Sequence, residues 1–234
     1  MQQIKRKLHN VLRRINTVKN WPLFMWPLAG IVTWPRIAKL RSGGKIFIRA
    51  FRSSDFAFLN EIVIEDIYHT ESFVAPQKII DVGANIGVFT ILVAKMFPQA
   101  TVISIEPEKV NFESLKKNIA LSDAQNVVAI NGAVSTVAGD ALLYVSTANA
   151  GNHSLYGDGN AVMVKTHTLN ELLPAGILKL DAEGIEYEIF KENVPDFDYI
   201  VMETHTGDDK SLFARLETKY ERTSRGPIHL FKHK

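Results

Sequence analysis

The stretch "IIDVGANIGVFTILVAKMFP", residues 79–98, constrains the fold of this chain more than any other segment. A short apolar run leads into Asp81, a turn carrying Gly83 and Gly87 follows, and a helix-length apolar segment completes the stretch. A strand, a glycine turn and a helix in this order are typical of a ligand-binding α/β unit. The glycines permit a sharp turn and a close approach of a ligand to the backbone. Asn85, between them, tolerates positive φ better than most non-glycine residues.

The alternation of strand and helix patterns continues through the rest of the chain. Further buried strands are predicted at "TVISIEP", "NVVAIN", "GILKLD" and "YIVMET", and helices at "EKVNFESLKKNIALS" and "EGIEYEIFKEN". Within the first of these helices, Val110, Leu115 and Ile119 are the predicted inner positions. The last two segments, "YERTSRG" and "IHLFKH", are predicted to form an antiparallel hairpin. The pattern therefore predicts an α/β fold, with a Rossmann-like, mostly parallel sheet covered by helices on both faces.

Ligands of such sheets lie beyond the carboxyl ends of the strands. Small or polar residues occupy nearly all of these ends: Asp81, Gly83, Ala84, Asn85, Gly87, Glu106, Asn131 to Ala133, Asp181 to Glu183, and Glu203 to His205. The sequence therefore predicts one ligand site at this edge of the sheet.

Glu106 indicates the type of ligand. It stands 23 residues after Gly83 at the end of the second strand, where a carboxylate accepts hydrogen bonds from a ribose diol. A dinucleotide loop needs G-x-G-x-x-G, which "DVGANIG" lacks, and Asp81 would repel phosphates. S-adenosylmethionine has no phosphate and carries a sulfonium and an amino group that favour nearby carboxylates. The alternatives are an NAD-dependent oxidoreductase and a glycine turn that only packs the helix on the strand.

Basic charge is concentrated at the beginning of the chain. Twelve of the 27 Lys and Arg residues precede Asp55, which is the first acidic residue, and cysteine is absent. The absence of cysteine excludes disulfide scaffolds and thiol catalysis. Residues 1–45 are therefore predicted to form a basic N-terminal appendage, and residues 46–234 the main domain.

The appendage begins with an amphipathic pattern. A narrow helical stripe is predicted from Ile4, Leu8, Val11, Leu12, Ile15 and Val18. The uncharged, Trp-rich run at residues 20–35 is shorter than the ~18–20 residues that span a bilayer. Residues 1–35 could attach to an anionic membrane surface; alternatively, the stripe packs on the main domain or on a second subunit in a homodimer. Basic charge discriminates weakly, and a nucleic-acid partner is not favoured. The expected location is the cytoplasm, with or without peripheral membrane association.

Four segments, "IIDVGANIGVFTILVA", "ISIEPEKVNFESLKKNI", "INGAVSTVAGDALLYV" and "ILKLDAEGIEYEIF", resemble in order and spacing the FkbM-type S-adenosylmethionine-dependent methyltransferases. The resemblance covers about residues 47–203. It implies a class I methyltransferase fold and a methyl acceptor that is commonly a hydroxyl group of a sugar or other natural product. It also implies cofactor contacts from Asp81, Gly83, Asn85 and Glu106, and a site role for Asp181 and Glu183.

Transfer of a methyl group to a neutral hydroxyl requires alignment and a proton acceptor. The predicted catalytic set is Asp181, Glu183, Glu203 and His205, all at the ends of the fourth and fifth strands of the main domain. His205 is the candidate base because an ordinary imidazole titrates near neutral pH. Asp181, Glu203 and His205 could instead bind a divalent metal ion that polarises the acceptor.

Structural roles for these residues are open alternatives. Asp181 could cap the following helix with Glu183 beside its positive end, and His205 could be a surface residue. The leading hypothesis is an O-methyltransferase acting on a sugar, glycan or other natural product. The competing hypothesis is a non-catalytic protein that docks on a membrane or nucleic acid and whose cofactor fold is vestigial.

Overall fold

A computed structural model describes residues 11–24, 36–50, 53–145, 153–154, 160–182, 184–191, 193–204 and 209–234. The helices are α1 (11–17), α2 (Ser53–Phe58), α3 (Val88–Met96), α4 (Lys109–Ser122), α5 (Glu186–Phe190) and α6 (Asp209–Leu216). The strands are β1 (Arg36–Lys39), β2 (Lys45–Ile48), β3 (Lys78–Val82), β4 (Thr101–Ile105), β5 (Val127–Ile130), β6 (Ala133–Ser135), β7 (Gly139–Val145), β8 (His153–Ser154), β9 (Ala161–Thr168), β10 (Ile177–Leu180), β11 (Tyr199–Glu203), β12 (Tyr220–Arg225) and β13 (Ile228–His233).

The central sheet has seven strands in the order β12-β13-β11-β10-β3-β4-β5. The pairs from β5 through β11 are all parallel, and β13 pairs antiparallel with both β11 and β12. The predicted fold class is confirmed, including the C-terminal hairpin, of which β12 forms the edge and β13 is interior. After β3 the chain builds β4 and β5 on one side of β3 and returns to β10 on the other. The carboxyl ends of β3 and β10 therefore form the switch point at which such sheets bind ligands.

Alternate residues of the central strands face two separate cores. Ile79 and Ile177 belong to one core, which α3 covers, whereas Ile80 and Leu178 belong to the other. The second core also contains Phe190 of α5 and apolar residues of α6. This alternation follows from the pleat of a strand, which directs successive side chains to opposite faces. Helices therefore cover both faces, as the sequence pattern predicts.

A smaller four-stranded sheet, in the order β6-β9-β7-β8, follows β5 in the chain. It contains both extended pieces that flank "GNHSLYGDGN", since β7 and β9 pair antiparallel. Of that loop, only residues 153–154 and residue 160 lie in the described part of the chain.

The buried face of α4 differs from the predicted one. Leu115 is fully buried, whereas Val110 is 54% exposed. The buried positions include Asn118 and Ser122, because their side chains hydrogen-bond to the backbone of β2 at 2.7 and 2.8 Å. Packing against a strand edge requires polar partners for the backbone groups that the edge leaves unpaired. An apolar periodicity cannot reveal such a face.

The described part of the basic N-terminal segment contacts the main domain. Val18 forms an isolated bridge with Leu40, and both residues lie in the core that α3 covers. Leu12, although it is on the predicted stripe, is 52% exposed. The domain boundary predicted at residues 45–46 falls within β2. Residues 1–10 and 25–35, to which membrane attachment was also assigned, lie outside the described part, and that attachment stays a prediction. Among the described helices, none has the length and hydropathy to cross a bilayer.

Candidate active site

A cavity of about 360 Å³ lies at the carboxyl ends of the central strands. Its size is within the range typical of small-molecule sites. Nine of the residues predicted at the strand ends line it: Gly83, Ala84, Asn85, Glu106, Gly132, Ala133, Asp181, Ala182 and Glu203. Asp81 and Gly87 are not part of the lining. Glu183 and His205 lie outside the described residues, so their predicted roles stay predictions.

The loop after β3 has a conformation that its sequence explains. Gly83 has φ of +71°, and a Cβ atom there would overlap the carbonyl oxygen of Asp181. Only glycine therefore permits this approach between the ends of β3 and β10. Asn85 has φ of +52°, and its side-chain oxygen accepts a hydrogen bond from the Ile86 N–H at 2.8 Å. The asparagine thus occupies a left-handed position that most side chains avoid.

Glu106 links this loop to the end of β4. One carboxylate oxygen accepts the Asn85 N–H at 2.8 Å, and the other accepts the Glu108 N–H at 2.9 Å. Burial raises the pKa of Glu106 to about 7, although these two hydrogen bonds act in the opposite direction. Each oxygen keeps a second lone pair. The side chain can therefore accept further hydrogen bonds from hydroxyl groups of a ligand in the cavity.

Asp81 and Gly87 support the loop from behind. Asp81 is fully buried, and its carboxylate accepts the Thr90 hydroxyl at 2.5 Å. Gly87 has φ of +85°, and a Cβ atom there would press on the side chain of Leu115 in α4. This glycine therefore allows α3 and α4 to pack closely. Both residues shape the loop from outside the cavity.

Lys179, in the middle of β10, is a site residue that the sequence reasoning missed. Its ammonium donates to the Val82 and Gly83 carbonyl oxygens at 3.0 and 2.7 Å. It also lies 3.5 Å from the Asp81 carboxylate and 3.4 Å from that of Asp181. Burial lowers the pKa of Lys179, but the nearby carboxylates outweigh burial and raise it overall. A charged residue inside the apolar strand "ILKL" is the signal that could have identified it, because buried lysines are paired.

The remaining polar lining residues form an acidic cluster around Tyr68. Asp181 and Glu203 approach from β10 and β11, and Glu61 from the segment after α2. Burial raises the pKa of Tyr68 well above its usual value, and Asp181, Glu203, Asp81 and Glu61 add to this effect. Tyr68 is therefore a neutral phenol at physiological pH. Among the described lining residues, the carboxylates of Glu61, Glu106, Asp181 and Glu203 outnumber the one lysine, Lys179.

A capping role for Asp181 stays a prediction. Ile185 occupies the N-cap position of α5, and its own side chain makes no capping hydrogen bond. The N–H groups of Ala182 and Gly184 donate to the carboxylate of Glu186, which is almost fully buried. Asp181 is thus held at the cavity by the loop and by Lys179.

The predicted metal set is only partly described. Asp181 and Glu203 both line the cavity, but His205 lies outside the described residues. Among the residues that the structure describes, no three Asp, Glu or His side chains are grouped closely enough to hold a metal ion. Metal binding through His205 therefore stays a prediction.

Comparisons with known proteins find sequence relatives among methyltransferases. The sequence pattern of the methyltransferase FkbM domain matches residues 81–222. Methyltransferase 1 of Beauveria bassiana (strain ARSEF 2860) is 27% identical over 137 residues, which cover 58% of this chain and 53% of that protein. Methyltransferase sdnD of Sordaria araneosa is 28% identical over 170 residues, with coverage of 56% and 66%. The chain therefore spans between about half and two thirds of the length of these relatives.

Among solved structures, the N-terminal domain of EvdMO1 with SAH bound is similar at a TM-score of 0.44 and 13% identity. The similarity covers 70% of this chain and 77% of that one. The family match extends from the end of β3 to the beginning of β12, and so includes the loop after β3, Glu106 and Asp181. The chain belongs to the FkbM methyltransferase family.

Proposed function

We propose that this chain transfers a methyl group from S-adenosylmethionine to a hydroxyl group of a sugar, glycan or other natural product. The observation that carries the proposal is the charge of the cavity. Glu106, Asp181, Glu203 and Glu61 line it, and Lys179 is the one lysine or arginine among the described lining residues. Such a cavity favours a sulfonium and an amino group over the phosphates of a dinucleotide.

The residues at the end of β3 and β4 fit the cofactor. Gly83 lets the end of β3 approach the backbone of Asp181, and this approach brings together two strand ends that line the cavity. Glu106 has acceptor capacity left for the two hydroxyl groups of a ribose. When bound, S-adenosylmethionine supplies a methyl group that its positive sulfur activates for displacement.

The chain's own contribution to the reaction is alignment and proton removal. As the acceptor oxygen bonds to the methyl carbon, the carbon–sulfur bond breaks, and the hydroxyl proton passes to a carboxylate of the protein. We assign this role to Asp181 and Glu203, which line the cavity, with His205 as the predicted alternative. The Lys179 ammonium lies 3.4 Å from the Asp181 carboxylate and holds that side chain at the cavity. Such proton transfer typically contributes ~10²–10⁴-fold to the rate.

Calorimetry and product analysis test this function. We expect S-adenosylmethionine and S-adenosylhomocysteine to bind and NAD not to bind, and mass spectrometry of a panel of sugars, glycans and lipid-linked sugars to detect a product one methyl group heavier. Asp181→Asn or Glu203→Gln should lower turnover by about 10²–10⁴-fold. Preference for NAD would contradict the cofactor assignment. Cofactor binding without any methylated product would favour the non-catalytic alternative.

Glu106 predicts a pH dependence of cofactor affinity. The folded-state pKa is about 7, and the ionised carboxylate is the form that accepts two ribose hydroxyl groups. Affinity for S-adenosylhomocysteine should therefore rise about tenfold between about pH 6 and about pH 8, as the ionised fraction rises. Calorimetry at several pH values measures this change. Glu106→Gln, the control, should bind more weakly and with little pH dependence; an unchanged slope would assign the titration to another group.

The stability of the ligand-free protein should change in the opposite direction. The pKa of Glu106 is 4.5 for the unperturbed side chain and about 7 in the fold. Between these values the folded state holds a proton that the unfolded state has released, so the free energy of unfolding from this group falls as pH rises. Urea denaturation of the wild type and Glu106→Gln on both sides of this window measures the difference.

A further inference from the structure

Part of the cavity is built by residues that precede the family match. Phe58, Glu61, Ile62, Ile67 and Tyr68 all line it. We call residues 58–68 the front wall. Tyr68 is electrostatically coupled to Asp181 and Glu203, so the front wall lies beside the carboxylates proposed to receive the proton. The residues of this wall therefore contribute to whatever the cavity binds.

The front wall has an irregular backbone. Leu59–Ile64 forms a π-helix that continues from α2, and the Glu65 N–H bonds to the Asn60 carbonyl oxygen at 2.8 Å. Such π-helical turns are rare and occur frequently at functional sites. The far end of the wall is anchored by Asp66, whose carboxylate accepts the Thr70 N–H and hydroxyl at 2.8 and 2.7 Å. The near end, around Asn60, is supported by contacts with other elements.

That support comes from two arginines on distant elements. Arg14 of α1 donates to the Asn60 side-chain oxygen at 2.5 Å, and the Asn60 amide donates to the Glu65 carboxylate at 3.1 Å. Arg225, at the end of β12, donates to the Glu65 carbonyl oxygen at 2.9 Å and lies 3.6 Å from its carboxylate. Glu61, on the same turn, is close enough to Glu65 for the two charges to repel. The positive charge of Arg14 offsets this repulsion.

We propose that α1 is a positioning element of the methyl-transfer site, in which Arg14, acting through Asn60 and Glu65, holds the front wall so that Glu61 and Tyr68 face the cavity. The methyl-transfer role of the cavity rests on the proposed function. The contacts that join Arg14, Asn60 and Glu65 do not depend on it. The basic N-terminal segment thereby has a task within the protein in addition to any contact with a membrane.

Arg13 provides a matched control on the same helix. It pairs with Glu71 at 2.8 Å, but the Glu71 side chain is 72% exposed and not part of the front wall. Exposed ion pairs of this kind contribute little to stability. Arg13→Met and Arg14→Met remove the same charge from adjacent positions of the full chain, and the ion pair of Arg13 involves neither Asn60 nor Glu65.

Amide hydrogen exchange and calorimetry test the proposal. In the ligand-free protein, Arg14→Met should accelerate exchange in residues 59–68 and leave α4 unchanged, and it should weaken S-adenosylhomocysteine binding about three- to thirtyfold. Asn60→Ala should have the same effects. Arg14→Met combined with Asn60→Ala should accelerate exchange and weaken binding no more than either single variant, because both substitutions break the same connection. Arg14→Lys should recover part of the affinity. Arg13→Met should match the wild type in both measurements.

Two results would overturn the proposal. The first is that Arg14→Met and Arg13→Met behave alike in exchange of residues 59–68. The second is that Arg14→Met accelerates exchange in α4 as much as in the front wall, because Arg14 would then be a general stabiliser. The exchange comparison needs no ligand. If the wild type bound no S-adenosylhomocysteine, the proposed function would fail while this comparison still decided the role of α1.

Discussion

Replacing Lys179 with methionine is expected to lower the free energy of unfolding by about 3–5 kcal/mol and to remove detectable S-adenosylhomocysteine binding. Lys179 is only 3% exposed, and its ammonium is the cation between the carboxylates of Asp81 and Asp181. Methionine fills a similar volume but leaves the Asp81 charge buried without this partner. It also removes the donor to the Val82 and Gly83 carbonyl oxygens. These hydrogen bonds hold the loop after β3 against β10.

Lys165→Met is the control for this substitution. Lys165 pairs with Asp140 at 2.8 Å, which is shorter than the distance from Lys179 to the carboxylate of Asp81 or Asp181. The Lys165 side chain, however, is 68% exposed. Water solvates both partners there, so we expect a loss below about 1 kcal/mol and unchanged ligand binding. Urea denaturation and calorimetry on both variants compare the pairs directly. If Lys179→Met were as stable as Lys165→Met, the buried ammonium of Lys179 would not contribute to the free energy of unfolding as predicted.

A second variant, Lys179→Met combined with Asp81→Asn, tests whether the losses in Lys179→Met come from the unpaired charge of Asp81 or from the lost contact with the loop. Because the double variant no longer buries an isolated carboxylate, it should regain part of the stability. It should not regain binding, since the carbonyl oxygens of the loop still lack their donor. Recovery of binding would mean that the charge of Asp81, rather than the contact with the loop, causes the defect.

Gly83→Ala is expected to lower the free energy of unfolding by about 3 kcal/mol or more and to weaken S-adenosylhomocysteine binding at least about tenfold. Two costs combine at this position. The backbone has φ of +71°, which is unfavourable for alanine, and the added Cβ would overlap the Asp181 carbonyl oxygen. The ends of β3 and β10 must then separate, and both line the cavity. Denaturation and calorimetry measure the two effects.

Gly226→Ala separates these costs. Gly226 has a similar φ of +63° in the β12–β13 turn, but no atom lies within 4 Å of the position that its Cβ would take. Only the backbone penalty of about 1–2 kcal/mol should appear, and binding should be unchanged. Equal losses in the two variants would show that the close approach of Gly83 to β10 has no energetic consequence.

The strand and helix pattern could be predicted because it depends on local periodicity and on the glycine turn. The five parallel strands, the C-terminal hairpin and the position of Glu106 after the second of these strands were all predicted correctly. The same reasoning predicted nine residues that line the cavity, since residues after parallel strands meet at one edge of the sheet.

The direction of a side chain at a strand end was not predictable in the same way. The position of Asp81 at the end of the first parallel strand predicted a place in the ligand site. Its carboxylate is instead directed to Thr90 and Lys179 beneath the loop. The inner face of α4 was also wrong at Val110, because the helix packs against strand backbone through polar side chains. Both outcomes depend on which neighbour covers each face, and periodicity within one segment contains no information on that neighbour.

By itself, the sequence determined the α/β class, the loop that requires Gly83 and Asn85, and the position of the Glu106 carboxylate, from which an adenosine-type ligand is predicted. Each of these follows from backbone sterics or from the spacing of residues along the chain. Only the tertiary structure brought Lys179 between two aspartates and placed Arg14 against the front wall. These contacts join residues separated by as many as 98 positions, and their existence depends on how the helices pack on the sheet. Long-range packing therefore decided which charges are buried and which segments surround the cavity.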